Sequence, residues 1–272
     1  MSSARRAGHT DMTTDRAAHV DAGGVRTWYA VHGSGDPLVY LHGAFGDSRE
    51  LEPQLAAYTD HYRVYLPERR GHGRSPDVEG PFSFPVFARD TIAFLEAVVD
   101  GPVDLVGYSD GATTALHVAL ERPDLVRRLV LISGQYHQRG LIPGILDDPG
   151  MSDMMVGSPM ATSYAEVSPD GAAHFPVIVG KIIDMALTGP TLAAEQLAGV
   201  TARTLVVSGD DDGVHLEHTI ELYRSIPDSE LAVVPGTSHL LAWEKPEQVT
   251  ELVLRFLTTE PVPTIAPIRR AR

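Results

Sequence analysis

A short apolar run, Val103-Asp104-Leu105-Val106, passes without a linker into Gly107-Tyr108-Ser109-Asp110-Gly111 and then into a helical stretch over residues 112–120. The same strand-to-helix rhythm recurs through most of the chain. Residues 25–31, 38–41, 62–66, 129–132, 204–207 and 231–234 read as strands; residues 84–99, 215–225 and 246–257 read as helices. The run at 38–41 is continuously apolar, as expected of a strand covered on both faces. Strands alternating with helices at this spacing predict an α/β fold, with a mostly parallel central sheet and helices on both faces.

One segment breaks the rhythm. Residues 135–200 hold no strong strand but carry Met151, Met154, Met155 and Met160, several prolines, and helical pieces at 175–187 and 192–197. A structureless loop of that length is improbable inside a compact domain, so the segment reads as a helical lid. The plainer alternative is an extra helical layer with no gating role. The expected organisation is a flexible tail at 1–18, a core from 19–134 and 201–259, the insertion at 135–200 between them, and a second tail at 260–272.

Composition excludes several functions. The net charge of −14 argues against nucleic acid and anionic membrane surfaces as partners. With no cysteine, there are no disulfides, thiolate metal sites or cysteine nucleophile, which fits a cytoplasmic protein. Residues 1–18 contain no apolar run that could serve as a signal-peptide core. His215, Glu217 and His218 lack the spacing of helical zinc sites, and Gly180-Lys181 is not followed by Ser or Thr, so there is no P-loop. The expected partner is a small-molecule substrate, and no metal or cofactor is expected.

Gly107-Tyr108-Ser109-Asp110-Gly111 is a G-x-S-x-G pattern set between a strand and a helix, which projects the serine hydroxyl above the carboxyl ends of the strands. A serine hydroxyl needs a base to take its proton. Of twelve histidines, His239 lies where a loop can return it over the sheet, after the last strand and before the last helix. An acid is then expected between the two along the chain. Ser208-Gly209-Asp210-Asp211-Asp212 supplies it just past a strand end: Asp212 is the chosen partner, Asp211 its competitor, and Asp210 a shaper of the loop. The N–H of Asp110 opens a helix and can donate to a developing oxyanion, with Ala44 in Leu41-His42-Gly43-Ala44-Phe45-Gly46 as the second donor. His42 and the run Arg69 to Ser75 read as supports for that loop.

These pieces together resemble the α/β-hydrolase superfamily, in its esterase-like, lactonase-like and C–C hydrolase-like branch. The matching features are His42-Gly43, Arg70 to Ser75, the GYSDG elbow, the SGDDD loop and the GTSH loop, in order over about residues 20–257. The resemblance implies a catalytic triad of Ser109, Asp212 and His239, an oxyanion hole from Ala44 and Asp110, and a lid at 135–200, inserted after the sixth strand. Two departures stand out. Glu68 occupies a position where the family often has Asp, and the HG loop lacks the extra glycines of some relatives, which leaves Phe45 as an alternative donor. A serine at the elbow sets the chain apart from members of the fold that attack with aspartate. On the analogy of a related enzyme with a serine–aspartate pair, Asp110 would face a cationic ester; the simpler reading is that its carboxylate caps a helix start. The implied activity is hydrolysis of a small or medium, largely apolar carboxylic ester or lactone, with Phe45, Tyr136, Phe175 and Ile178 expected around the substrate. The alternatives are C–C bond hydrolysis or perhydrolysis with the same triad, and ligand binding without catalysis.

Overall fold

The computed structural model describes residues 16–261 and 264–266. Eight strands form one sheet: β1 (Arg16–Ala22), β2 (Val25–Gly33), β3 (Asp36–Leu41), β4 (Tyr62–Pro67), β5 (Val103–Tyr108), β6 (Val126–Ile132), β7 (Arg203–Asp211) and β8 (Ser229–Ser238). Their order is β1-β2-β4-β3-β5-β6-β7-β8. β1 and β2 pair antiparallel, as do β2 and β4; every pairing from β4 to β8 is parallel.

Alternation along the central strands divides the core in two. On one face Val39, Leu41, Leu105, Leu129 and Leu131 meet α2 (Phe84–Val98), α3 (Asp110–Glu121) and α7 (Leu216–Ser225). On the other, Leu38, Val106, Val130 and Ile132 meet α1 (Leu55–Thr59), α8 (Leu241–Glu244) and α9 (Pro246–Thr258). α9 shows the cause locally: Pro246 starts it, and Val249, Val253, Phe256 and Leu257 bury one stripe at helical spacing.

Between β6 and β7 the insertion forms α4 (Met151–Val156), α5 (Pro159–Val167) and α6 (Phe175–Thr188). Its apolar faces join Phe82, Phe84 and Phe87 in a third core above the sheet's carboxyl edge. Among the described residues no helix is long and apolar enough to cross a membrane.

The expected N-terminal tail is corrected at its inner end. Arg16–Ala18 lie in β1, which runs back along β2 through a Gly23-Gly24 turn with φ values of +59° and +82°. Both central residues of such a two-residue hairpin need positive φ, which glycine supplies at least cost. The rest of that tail, 1–15, lies outside the described residues, as do 262–263 and 267–272 of the expected C-terminal tail.

Candidate active site

The chain runs from β3 to β4 on one side of the sheet and crosses to β5 on the other, so the strand order reverses between β3 and β5. A crevice opens outside the carboxyl ends of strands at such a switch point. Leu41 and Gly107 are register partners there, which places the loop after β3 beside the turn after β5.

That turn is sharp. Ser109 has φ +54°, a strained value for a residue with a side chain, and its N–H is held by the Ile132 carbonyl at 2.8 Å. The flanking glycines are required by close approach. A Cβ on Gly107 would fall 2.3 Å from the Gly111 carbonyl oxygen, and one on Gly111 would fall 2.1 Å from that of Leu41.

The structure brings Ser109, His239 and Asp212 into one chain of contacts. His239 Nε2 lies 2.9 Å from Ser109 Oγ, and His239 Nδ1 lies 2.7 Å from Asp212 Oδ1. Asp212 is buried and well held: Val214 N–H donates to Oδ1 at 3.2 Å, and the hydroxyls of Ser133 and Ser208 donate to Oδ2 at 2.6 and 3.2 Å. Burial alone would raise this carboxyl, but the His239 and Ser133 contacts outweigh it and hold it below the usual carboxylate range. Its two neighbours do other things. Asp210 accepts the Thr237 N–H at 3.0 Å and braces the loop before His239, whereas Asp211 is exposed at the cavity wall. Ser133 carries no sequence motif; it reaches Asp212 because it follows β6, with φ +51°.

The loop after β3 is supported from below. His42 Nδ1 lies 2.8 Å from the Gly43 carbonyl, and His42 Nε2 accepts the Arg69 N–H at 3.2 Å. The buried Arg69 guanidinium donates to the His42 and Gly43 carbonyls at 2.6 and 2.9 Å. Burial and the Arg69 charge hold His42 far below the ordinary histidine range, so it stays neutral. Burial also drives His72 down to about 3. From the other side Glu50 accepts the Gly43 N–H and the Tyr40 hydroxyl, each at 2.9 Å, and burial pushes its carboxyl up to about 7. Glu68 is fully buried and accepts from Ser48 Oγ at 2.8 Å and Arg74 Nη1 at 2.7 Å, so the longer acid ties the 48 and 74 turns together.

A cavity of about 610 Å³ opens over Ser109. Ala44, Phe45 and Asp110 line it, as the sequence suggested; Phe45 has φ +60°. Three expected contacts are corrected. Tyr136 is fully buried, stacked on His218 at 4.1 Å with its hydroxyl between Glu221 and Arg139, outside the cavity. Phe175 and Ile178 face the core of the insertion, against Tyr164 and the Phe82–Gly71 region respectively. An amphipathic helix puts its most apolar stripe into its own packing interface, not into an open site. One turn beyond Ile178, Ile182 does reach the cavity, joined by Met151, Met154, Met155, Met160 and Trp243. The methionine group was visible in the sequence; its direction was not.

Residues 31–252 match the model of the alpha/beta hydrolase family. The chain belongs to that family. It is 23% identical over 266 residues to (E)-2-((N-methylformamido)methylene)succinate hydrolase of Acinetobacter baylyi, covering 92% of this chain and 97% of the relative. It is 29% identical to 2-hydroxy-6-oxo-6-(2'-aminophenyl)hexa-2,4-dienoic acid hydrolase of Metapseudomonas resinovorans, covering 88% and 90%. Among solved structures, a serine hydrolase involved in carbazole degradation superposes with a TM-score of 0.75 at 25% identity, covering 90% of this chain and 99% of that one. Both of these curated relatives are named as hydrolases.

Proposed function

We propose that this chain is a serine hydrolase that cleaves a small or medium, largely apolar carboxylic ester or lactone through an acyl-enzyme. The observation that carries the reading is the 2.9 Å contact between Ser109 Oγ and His239 Nε2, backed by the 2.7 Å contact from Nδ1 to Asp212, at the floor of a mainly apolar cavity. His239 takes the Ser109 proton as Oγ attacks the carbonyl carbon. Asp212 orients the ring and stabilises the imidazolium, and the imidazolium then protonates the departing alkoxide. Water repeats the sequence on the acyl-enzyme and releases the acid. The N–H groups of Asp110 and Ala44, with Phe45 as alternative to Ala44, hold the oxyanion.

The insertion serves as a lid in this reading. Two clamps tie it to the core: Arg49 donates to Glu166 and Ser163 on α5, and Asp77 accepts from Lys181 on α6 at 2.7 Å and from His174 at 2.9 Å. A second reading, cleavage of a C–C bond beside a ketone, is favoured by the Metapseudomonas relative, named for a dienoic keto acid.

The test combines a fluorophosphonate probe with a substrate panel. The probe should label the wild type and leave Ser109→Ala untouched, and p-nitrophenyl butyrate should turn over with kcat reduced roughly 10³–10⁶-fold in that variant. Turnover confined to a dienoic diketone would favour the second reading. An unlabelled serine with no turnover of either class would reject both.

A further inference from the structure

The cavity over Ser109 is one-sided in charge. Asp47, Glu50, Asp110 and Asp211 line it, and among the described residues Arg49 is its one lining side chain with a permanent positive charge. That charge is already matched. Arg49 Nε and Nη2 donate to the Asp47 carboxylate at 3.0 and 2.7 Å, and Nη1 donates to Glu166 at 2.7 Å. The second Nη2 hydrogen is occupied by Ser163, whose carbonyl and hydroxyl oxygens each lie at 2.7 Å.

Asp110 is the opposite case. Its side chain is nine-tenths buried next to the serine, and its Oδ2 has no hydrogen-bond partner among the described residues. Burial raises both Asp110 and Glu50, with the buried Arg69 charge offsetting only part of it, so a further negative charge in this wall is repelled to the extent that these acids are ionised, and more strongly as pH rises. An incoming carboxylate would meet those acids without a guanidinium fork free to receive it.

We infer that this site discriminates against substrates that carry a carboxylate, so that charge helps define its substrate class. The inference rests on the serine-hydrolase reading and narrows it. It also separates this chain from the Acinetobacter and Metapseudomonas relatives, whose names specify a succinate and a dienoic acid.

The test uses mono-p-nitrophenyl adipate and its methyl ester, which differ only in whether the far end is charged. A unit charge about 6 Å from another at an effective dielectric near 20 shifts an equilibrium by roughly 100-fold. Above pH 7, where Glu50 is mostly ionised, the wild type should therefore process the methyl ester with kcat/KM up to about 100-fold higher, and the ratio should shrink as pH falls. In Asp110→Asn that ratio should fall several-fold, because any loss of catalytic power is shared by both substrates and only the acid gains. A wild-type ratio near one, or a ratio unchanged in Asp110→Asn, overturns the inference. Calorimetric titration of Ser109→Ala with the same pair should show tighter binding of the methyl ester, and equal affinities would also overturn it. Failure of the underlying reading looks different: the wild type then cleaves neither ester, and the affinity ratio in Ser109→Ala still decides the charge question.

Discussion

Gly111→Ala sets two physical effects against each other at the start of α3. In an exposed helix interior, alanine is favoured over glycine by about 1 kcal/mol. Here the new Cβ would sit 2.1 Å from the Leu41 carbonyl oxygen and 2.6 Å from that of His42, where ordinary contact begins near 3.4 Å. Backbone on both sides must separate by more than ~1 Å, and neither side has a flexible side-chain end to swing away. Overpacking a dense core typically costs about 1–3 kcal/mol and occasionally more; with rigid backbone on both sides the upper end applies, about 3–4 kcal/mol. The net is a loss of about 2–3 kcal/mol. At roughly 2–4 °C per kcal/mol for a chain of this size, the melting temperature should fall by about 5–10 °C. Activity should fall further, since the same displacement separates Ser109 from the loop that carries Ala44, and a 1 Å misplacement can cost about 10²-fold. Calorimetric melts and kcat/KM on p-nitrophenyl butyrate measure both. A variant that melts at or above the wild type with full activity would refute the close-packing argument.

Asp212→Asn should lower kcat by about 10³–10⁴-fold on the proposed mechanism, while Asp211→Asn should stay within a few-fold; steady-state kinetics reversing that order would move the acid to Asp211. Glu50 gives a pH-dependent stability test. Its folded pKa of about 7 lies above the unfolded value near 4.5, so the folded state holds more protons between those values and loses stability as pH rises through that window. Glu50→Gln should remove that penalty, gaining on the wild type in melting temperature as pH goes from 5 to 8; a constant difference would show that the carboxyl titrates normally. Asp212 has the opposite sign. Its pKa is depressed in the folded state, so its contribution is present above the unfolded value and lost as pH falls through the folded one, and Asp212→Asn should flatten the acid side of a pH–stability curve below about pH 4.

The alternating apolar runs, the G-x-S-x-G turn and the positions of His239 and the aspartate cluster are local or ordered along the chain, and they suffice to predict the α/β layering, the helical insertion and the line of contacts from Ser109 through His239 to an aspartate. β1 is hard to see in the sequence because its alternation of alanine and valine with polar residues is weak, although Gly23-Gly24 marks the hairpin. Which of three adjacent aspartates turns to the imidazole was decided by tertiary structure: Ser133 and His239 come from other parts of the chain to Asp212, while Ser208 and Val214 hold it from within its own loop. The same holds for the cavity wall. Periodicity shows that a helix has an apolar stripe, but only packing decides which residues fill the insertion's own core, as Phe175 and Ile178 do, and which are left over to line the space, as Met154 and Met160 are. Local pattern sets the elements because it acts within a few residues. Partnership between residues more than a hundred positions apart is set by the fold that brings them together.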